Sequence, residues 1–387
     1  MRVGLFAWES LHSISVGGVA VHVTELAAAL QRRNHEVHVF TRMPPGAKTY
    51  DCIDGVHYHR CPFDLHPNFV EEINNMCRAF VRNCFEVEDF IGNFDVLHAH
   101  DWLASNAMAW AKEGRHRRSV LTMHSTEYGR NGNRFLGGAC ERVQAHERHG
   151  TYCADRVITV SNGLKQELRW LYQLPDDKFN VIYNWVNAGA FDYDVDPGGV
   201  KHQYAVGPVD PMVLFVGRLA VQKGPDILVR AMPHVLRFYP NAKFVFVGDG
   251  HMRGDVIAIA HQLGVAHALR MLGHRGGQEL TNLFKAADCL VVPSRNEPFG
   301  IVILEAWSAC RPVVSTKRGG PAEFVWHEVN GLQIDDTSDS VAWGIGTLLA
   351  DYQRGQWMGR NGRAAVDAVF SWDCIAEQTE AVYQSLF

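Results

Sequence analysis

No stretch of this sequence approaches the ~18 consecutive apolar residues that a bilayer-spanning helix needs, and its opening, MRVGLFAWES, is too short and interrupted for a secretory signal. No Cys-x-x-Cys pair occurs among the nine cysteines, and an odd, scattered set supplies neither a zinc ribbon nor a disulfide framework. These absences place the chain, as an expectation, in a reducing cytoplasm. A basic excess is missing too: 37 Lys and Arg stand against 42 Asp and Glu, a net charge of -5, which argues against binding to a nucleic-acid backbone. The one basic run, Arg115 to Arg118, reads as a solvated turn between a helix and a strand. There is no internal repeat and no DxD-type metal motif. GDGHMRG (Gly248 to Gly254) follows a strand but lacks the true spacing of a dinucleotide fingerprint.

What is present is ample core material, 47% apolar and 20% charged, spread over 387 residues, a length that suits two domains better than one. Short apolar runs alternate with longer amphipathic stretches, the pattern of βα units around a parallel sheet. Strand-like runs occur at RVGLFAW, EVHVFT, FDVLHAH, SVLTMH, RVITV and FNVIYN, and a second series at MVLFVGR, KFVFVGDG, ALRMLGH, CLVVPS, RPVVST and NGLQID. Between the series, Ala188 to Pro211 is rich in Gly, Pro and Asp and reads as an interdomain crossover. The expected fold is therefore α/β, with two Rossmann-like doubly wound parallel sheets, residues 1–190 and 191–371, facing across a cleft. A final helix, 372–387, carries Trp372, Ile375, Ala376, Val382 and Leu386 near helical spacing and is expected to pack back on the first domain.

In doubly wound sheets ligands sit at the carboxyl ends of strands, so the informative residues are those just past each apolar run. MVLFVGRLAVQKG (Met212 to Gly224) delivers Gly217, Arg218 and Lys223 to such an edge. A guanidinium that grips bidentately and a compact ammonium together suit a diphosphate, although alone they read equally well as a solvated turn. VVPSRNEPFGIVILEAWSA (Val291 to Ala309) adds Glu297 and Glu305, with Pro298 suited to open a helix and the amides of Phe299, Gly300 and Ile301 left to donate to an oxygen-rich ligand. Eight residues along a helix axis would part the two acids by about 12 Å, the reach from a donor sugar to its ribose and longer than a hydrolytic carboxylate pair requires. In the first half, SVGGVAVHVTELAAAL puts Gly17 and Gly18 at the mouth of a helix, and SVLTMHSTEYGRNGN ends a strand at His124. His98 and His100 share a strand face and, with Asp101, could hold a metal; no third and fourth ligand at a fitting spacing is apparent, so no metal is assigned.

VGRLAVQKG followed by EPFGIVILEA resembles the donor site of glycosyltransferase family 4, a GT-B family of retaining enzymes, and the likeness covers nearly the whole chain. The resemblance implies that Arg218 and Lys223 bind the donor diphosphate, that Glu297 meets the sugar and Glu305 the ribose, and that His124 faces the sugar. It implies that Gly17 and Gly18 approach the donor, while Gly273, His274 and the GDG loop wall the base. His100, Asp101 and Glu127 fall on the acceptor side. The HDW and STEYGR segments are most similar to bacterial glycogen-synthase-like members, which implies ADP- or UDP-glucose as donor and an α-glucan or glucose phosphate as acceptor. No cofactor or obligatory metal is implied, because the two cations take over charge stabilisation. Two domains of this kind are expected to close at crossovers near Asn187 to Pro211 and Phe370 to Asp373. Other readings remain: a family 4 enzyme with another sugar or a lipid acceptor, a GT-B nucleotide-sugar 2-epimerase, a dinucleotide oxidoreductase, or a non-catalytic sugar-binding protein.

Overall fold

A computed structural model describes residues 1–370 and 372–387; Ser371, inside the second expected crossover, lies outside the described residues. The chain forms two compact units. The first comprises Met1–Tyr128, Phe135–Asn184 and Trp372–Phe387, the second Gly129–Arg134 and Trp185–Ser371.

The first unit holds β1 (Arg2–Phe6), β2 (Glu36–Arg42), β3 (Tyr50–Ile53), β4 (Val56–Cys61), β5 (Val96–His100), β6 (Arg118–Met123), β7 (Arg156–Thr159) and β8 (Phe179–Val181), in the order β3-β4-β2-β1-β5-β6-β7-β8. All neighbours are parallel except β3, which runs antiparallel to β4. Strands covered by helices on both faces read as unbroken apolar runs, and β1 obeys this with Val3, Leu5 and Phe6 fully buried. The β3–β4 hairpin is absent from the expected strands because its residues mix polar and apolar groups and form no unbroken apolar run. Its signal was the Asp54-Gly55 turn, where both residues take positive φ (49° and 79°), as a tight hairpin turn demands.

The basic run does form the junction between the helix Asp101–Arg115 and β6, but it is not simply solvated. Arg117 Nε and Arg115 Nη1 donate to the buried Glu88 carboxylate at 2.6 and 3.1 Å, so two of the three arginines neutralise an interior acid. The helix Trp372–Gln384 packs on the helix Gly18–Arg32, burying Ile375, Ala376, Val382 and Tyr383.

The second unit holds β9 (Met212–Val216), β10 (Lys243–Val247), β11 (Leu269–Gly273), β12 (Cys289–Val292), β13 (Val313–Thr316) and β14 (Leu332–Ile334), all parallel, in the Rossmann order β11-β10-β9-β12-β13-β14. Its core is built from β-branched and aromatic residues of β9 and β10, such as Val213, Phe215, Phe244 and Phe246, against the helix Pro225–Leu236. Residues 188–211 are more than a connector. Asp196 caps a short helix, Pro197–Gln203, with Pro at its start, and Lys201 is buried against Asp288 (2.8 Å) at the foot of β12.

Candidate functional site

In both sheets the strand order reverses beside the first strand of the unit, between β1 and β5 and between β9 and β12. At such a point the connections leave in opposite directions and open a crevice at the strand ends. In the second unit, β9 runs into Gly217 (φ 155°) and the turn Val221–Lys223, and β12 runs into Ser294 to Glu297. Lys223 Nζ lies 2.8 Å from each carboxylate oxygen of Glu297, and Ser294 Oγ donates to Oε2 at 2.9 Å. Glu297 is only 3% exposed, so its charge requires these partners. Arg218 is exposed, with Nη2 3.3 Å from Gln222 Oε1.

The two strand-end loops are fastened by a bidentate pair, Arg295 to Asp226 at 2.8 and 2.7 Å, and Gln222 O accepts from Arg295 N at 2.9 Å. The loops beside them are held by glycine. A Cβ at Gly248 would stand 2.0 Å from Gly217 O, and one at Gly319 2.1 Å from Glu297 O. Gly248 N donates to Gly273 O, which ties the GDG loop to the end of β11; His274 next to it is exposed. Sequence reasoning missed Ser294, Gln222, Asp226, Arg295 and Gly319; the one available signal was the glycine pair Gly319-Gly320 in the loop after β13. The six residues Gly129–Arg134 also belong to this unit, where Asn296 Nδ2 donates to Asn133 Oδ1 at 2.8 Å.

One expectation is overturned here. Pro298 does not open a helix; the helix is Ile301–Ser308, entered through Gly300 at φ 94°. The residues Glu297 to Gly300 turn instead against the Gly319-Gly320 loop, where Gly320 N donates to Glu297 O at 2.9 Å. Half of the eight-residue interval from Glu297 to Glu305 is therefore not helical, and the 12 Å axial estimate fails. Phe299 is buried against Phe324. Glu305 stands on the helix, and burial pushes its carboxyl up to about 7.

In the first unit, β1 leads to Glu9, whose buried carboxylate accepts from the amides of Val16 and Gly17, both at 2.7 Å. The glycine turn before the helix Gly18–Arg32 is thus an anion cradle, as its sequence suggests, with its own chain's carboxylate in it. Gly17 and Gly18 themselves are exposed. Asp101, at φ 57°, directs Oδ1 to His124 N at 2.8 Å and fixes the end of β6. Glu127 N donates to the buried Glu147.

His98 is satisfied on both ring nitrogens, by Tyr383 and Thr122, each at 2.7 Å, which removes it as a ligand. His100 instead meets His22 and His124. Burial pushes all three of these imidazoles down, His124 to about 4. A second group on β2 and β4 behaves alike: burial, then the neighbouring imidazoles, lowers His38 to about 4 and His59 to about 3.

These depressed values fix a pH dependence. The unfolded chain takes up these protons near pH 6.5, whereas the folded chain holds them off until pH 3 to 4. The stability they confer is complete above pH 6.5 and falls with pH below it, each buried ring removing up to about 1.4 kcal/mol per pH unit. Urea midpoints should hold from pH 7.5 to about 6.5 and then drop through pH 6 to 5. Equal midpoints over that range would show that these rings are already protonated in the folded chain.

Two Rossmann-like parallel-sheet units with these groups at their switch points define a glycosyltransferase of the GT-B type. Residues 16–189 match the family described as Glycosyltransferase Family 4, and residues 201–365 match Glycosyl transferases group 1. The sequence is 38% identical over 393 residues to an uncharacterized glycosyltransferase of Methanocaldococcus jannaschii, covering 99% of this chain and 98% of that one. The chain belongs to glycosyltransferase family 4. It is similar also to a glycogen synthase of Mycobacterium tuberculosis (29%, covering 99% and 94%) and to a D-inositol 3-phosphate glycosyltransferase of Xylanimonas cellulosilytica (32%, covering 95% and 91%). Among solved structures, sucrose-phosphate synthase of Thermosynechococcus elongatus shares the fold, with a TM-score of 0.84 at 24% identity over 100% of this chain and 99% of that one. No helix among the described residues is long and apolar enough to cross a membrane.

Proposed function

We propose that this transferase moves glucose, with retention of anomeric configuration, from ADP- or UDP-glucose to a hydroxyl of an α-glucan or a glucose phosphate. The observation that carries the reading is the Lys223–Glu297 pair at the β9/β12 switch point, with Arg218 at the same strand end. In this reading the donor diphosphate takes the two cations and frees Glu297 for the sugar hydroxyls. Glu305 binds the ribose; a carboxyl that titrates near 7 can both donate to and accept from hydroxyls at neutral pH. His124, at the end of β6, is the first unit's contribution at the sugar. The acceptor attacks on the face from which the diphosphate leaves, and the departing phosphate takes the acceptor proton. Arg218 and Lys223 stabilise the charge that grows on the leaving oxygen, so no metal is obligatory.

The relative named glycogen synthase supports the glucan acceptor. Relatives named D-inositol 3-phosphate glycosyltransferase support a second reading, a phosphorylated polyol.

The test is a matrix of ADP-, UDP- and GDP-glucose against glycogen, glucose 1-phosphate, inositol 3-phosphate and no acceptor, in EDTA. Nucleotide release is measured, and the product anomer is read by NMR. Acceptor-dependent release and an α-linked product are expected. A β-linked product overturns retention. Epimerised sugar formed without any acceptor replaces the transfer reading with the epimerase.

A further inference from the structure

The first unit gathers three imidazoles that the proposed transfer does not use together. His22 comes from the helix Gly18–Arg32, His100 from the end of β5 and His124 from the end of β6. Their ring centroids lie 4.7 to 5.6 Å apart, and one nitrogen from each lies within 4.8 Å of the others. This is the one such group of potential ligands among the described residues. His100 Nδ1 and His124 Nε2 are 3.3 Å apart. Two nitrogens on one tetrahedral ion, each bonded at ~2.0–2.1 Å, are separated by about 3.3 Å, so this pair already has the spacing of two ligands on a shared metal.

The surroundings of the group are dry. His100 is 1% exposed, and its Nε2 is buried without a hydrogen-bond partner. Asn184, whose side chain hydrogen-bonds His22, likewise buries its Oδ1 without a partner.

We propose that His22, His100 and His124 form a binding site for one divalent transition-metal ion of the zinc, cobalt or nickel type. Three neutral imidazoles with an open fourth position suit such borderline ions, and the absence of any carboxylate from the set excludes magnesium and calcium, which demand oxygen ligands. Burial keeps these rings unprotonated near neutrality, as ligation requires. The ion is inhibitory: His124 is the residue assigned to the donor sugar, and a ring nitrogen bonded to a metal can no longer serve that sugar. This last step rests on the proposed function; the binding does not.

The experiment uses the full chain, stripped with chelator and titrated with Co2+. One ion per chain, with the visible absorption of tetrahedral cobalt, is expected, and binding at least tenfold weaker in His22→Gln and in His100→Gln. Melting temperatures are taken first, since both rings are buried. Should either variant fail to fold, X-ray absorption at the cobalt edge of the native protein counts its ligands directly, and three imidazoles are expected. No stoichiometric binding, equal binding by folded variants, or fewer than two imidazoles overturns the site. Transfer is assayed on the same samples with and without the ion. Binding that leaves transfer unchanged keeps the site and overturns the placing of His124 at the sugar.

Discussion

Lys223→Ala lowers turnover by about two orders of magnitude, the scale for removing one preorganised group that stabilises developing charge. The effect falls on kcat more than on KM, because the ammonium is worth most when the leaving diphosphate carries its full charge. The free protein adds a second consequence. Lys223 holds both oxygens of a nearly buried Glu297, so its loss leaves that carboxylate with Ser294 and lowers the melting temperature as well. Glu297→Gln separates the two effects: it removes the buried charge and spares the ammonium, so its melting temperature falls less while KM for the donor rises. Initial rates against donor concentration for both variants check the assignment, and a Lys223→Ala enzyme with near-normal kcat would remove Lys223 from the chemistry.

Gly319→Ala is expected to cripple the site without touching a charged group. The residue sits at φ 66°, which costs an alanine roughly 1–2 kcal/mol. The added Cβ would also stand 2.1 Å from the carbonyl oxygen of Glu297, an atom of the main chain that cannot swing aside as a flexible side chain can. The loop bearing Glu297 must move, and the hydrogen bond from Gly320 N to that carbonyl goes with it. Total destabilisation on the order of 3 kcal/mol and at least a tenfold loss of transfer follow. Gly46→Ala is the matched control: its φ is 75°, but an added Cβ meets nothing within 4 Å. If both variants unfold at the same denaturant concentration and Gly319→Ala keeps its activity, close packing of that loop plays no part in placing Glu297.

Much of this architecture was readable from periodicity alone, since parallel strands buried on both faces are near-continuous apolar runs. Each of the twelve expected runs forms a strand. The β3–β4 hairpin escaped because Tyr-Asp-Cys-Ile is short and Val-His-Tyr-His alternates polar with apolar residues, so neither strand is an unbroken apolar run. At the candidate site, strand-end position identified Arg218, Lys223 and Glu297, because a strand's last residue fixes where the next few side chains can go. It could not identify Ser294, Asp226 or Arg295, whose partners come from segments distant in sequence. Pro298 misled for a related reason: a proline fits the start of a helix, but it fits a turn as well, and Gly300 at φ 94° decides where the helix begins. The histidine group was invisible because His22, His100 and His124 lie on three elements that only the β1/β5 reversal brings together.

The helix Trp372–Gln384 belongs to the first unit although it follows the whole of the second in the chain. Tyr383 supplies the hydroxyl for His98 Nδ1 inside β5, and Glu380 pairs with Arg33 at 2.7 Å. During synthesis, therefore, the first unit waits for a helix that is made only after the whole of the second unit. Until residues 372–387 emerge, the nascent first unit carries an uncovered apolar seam and an interior imidazole lacking one partner, a state suited to chaperone capture.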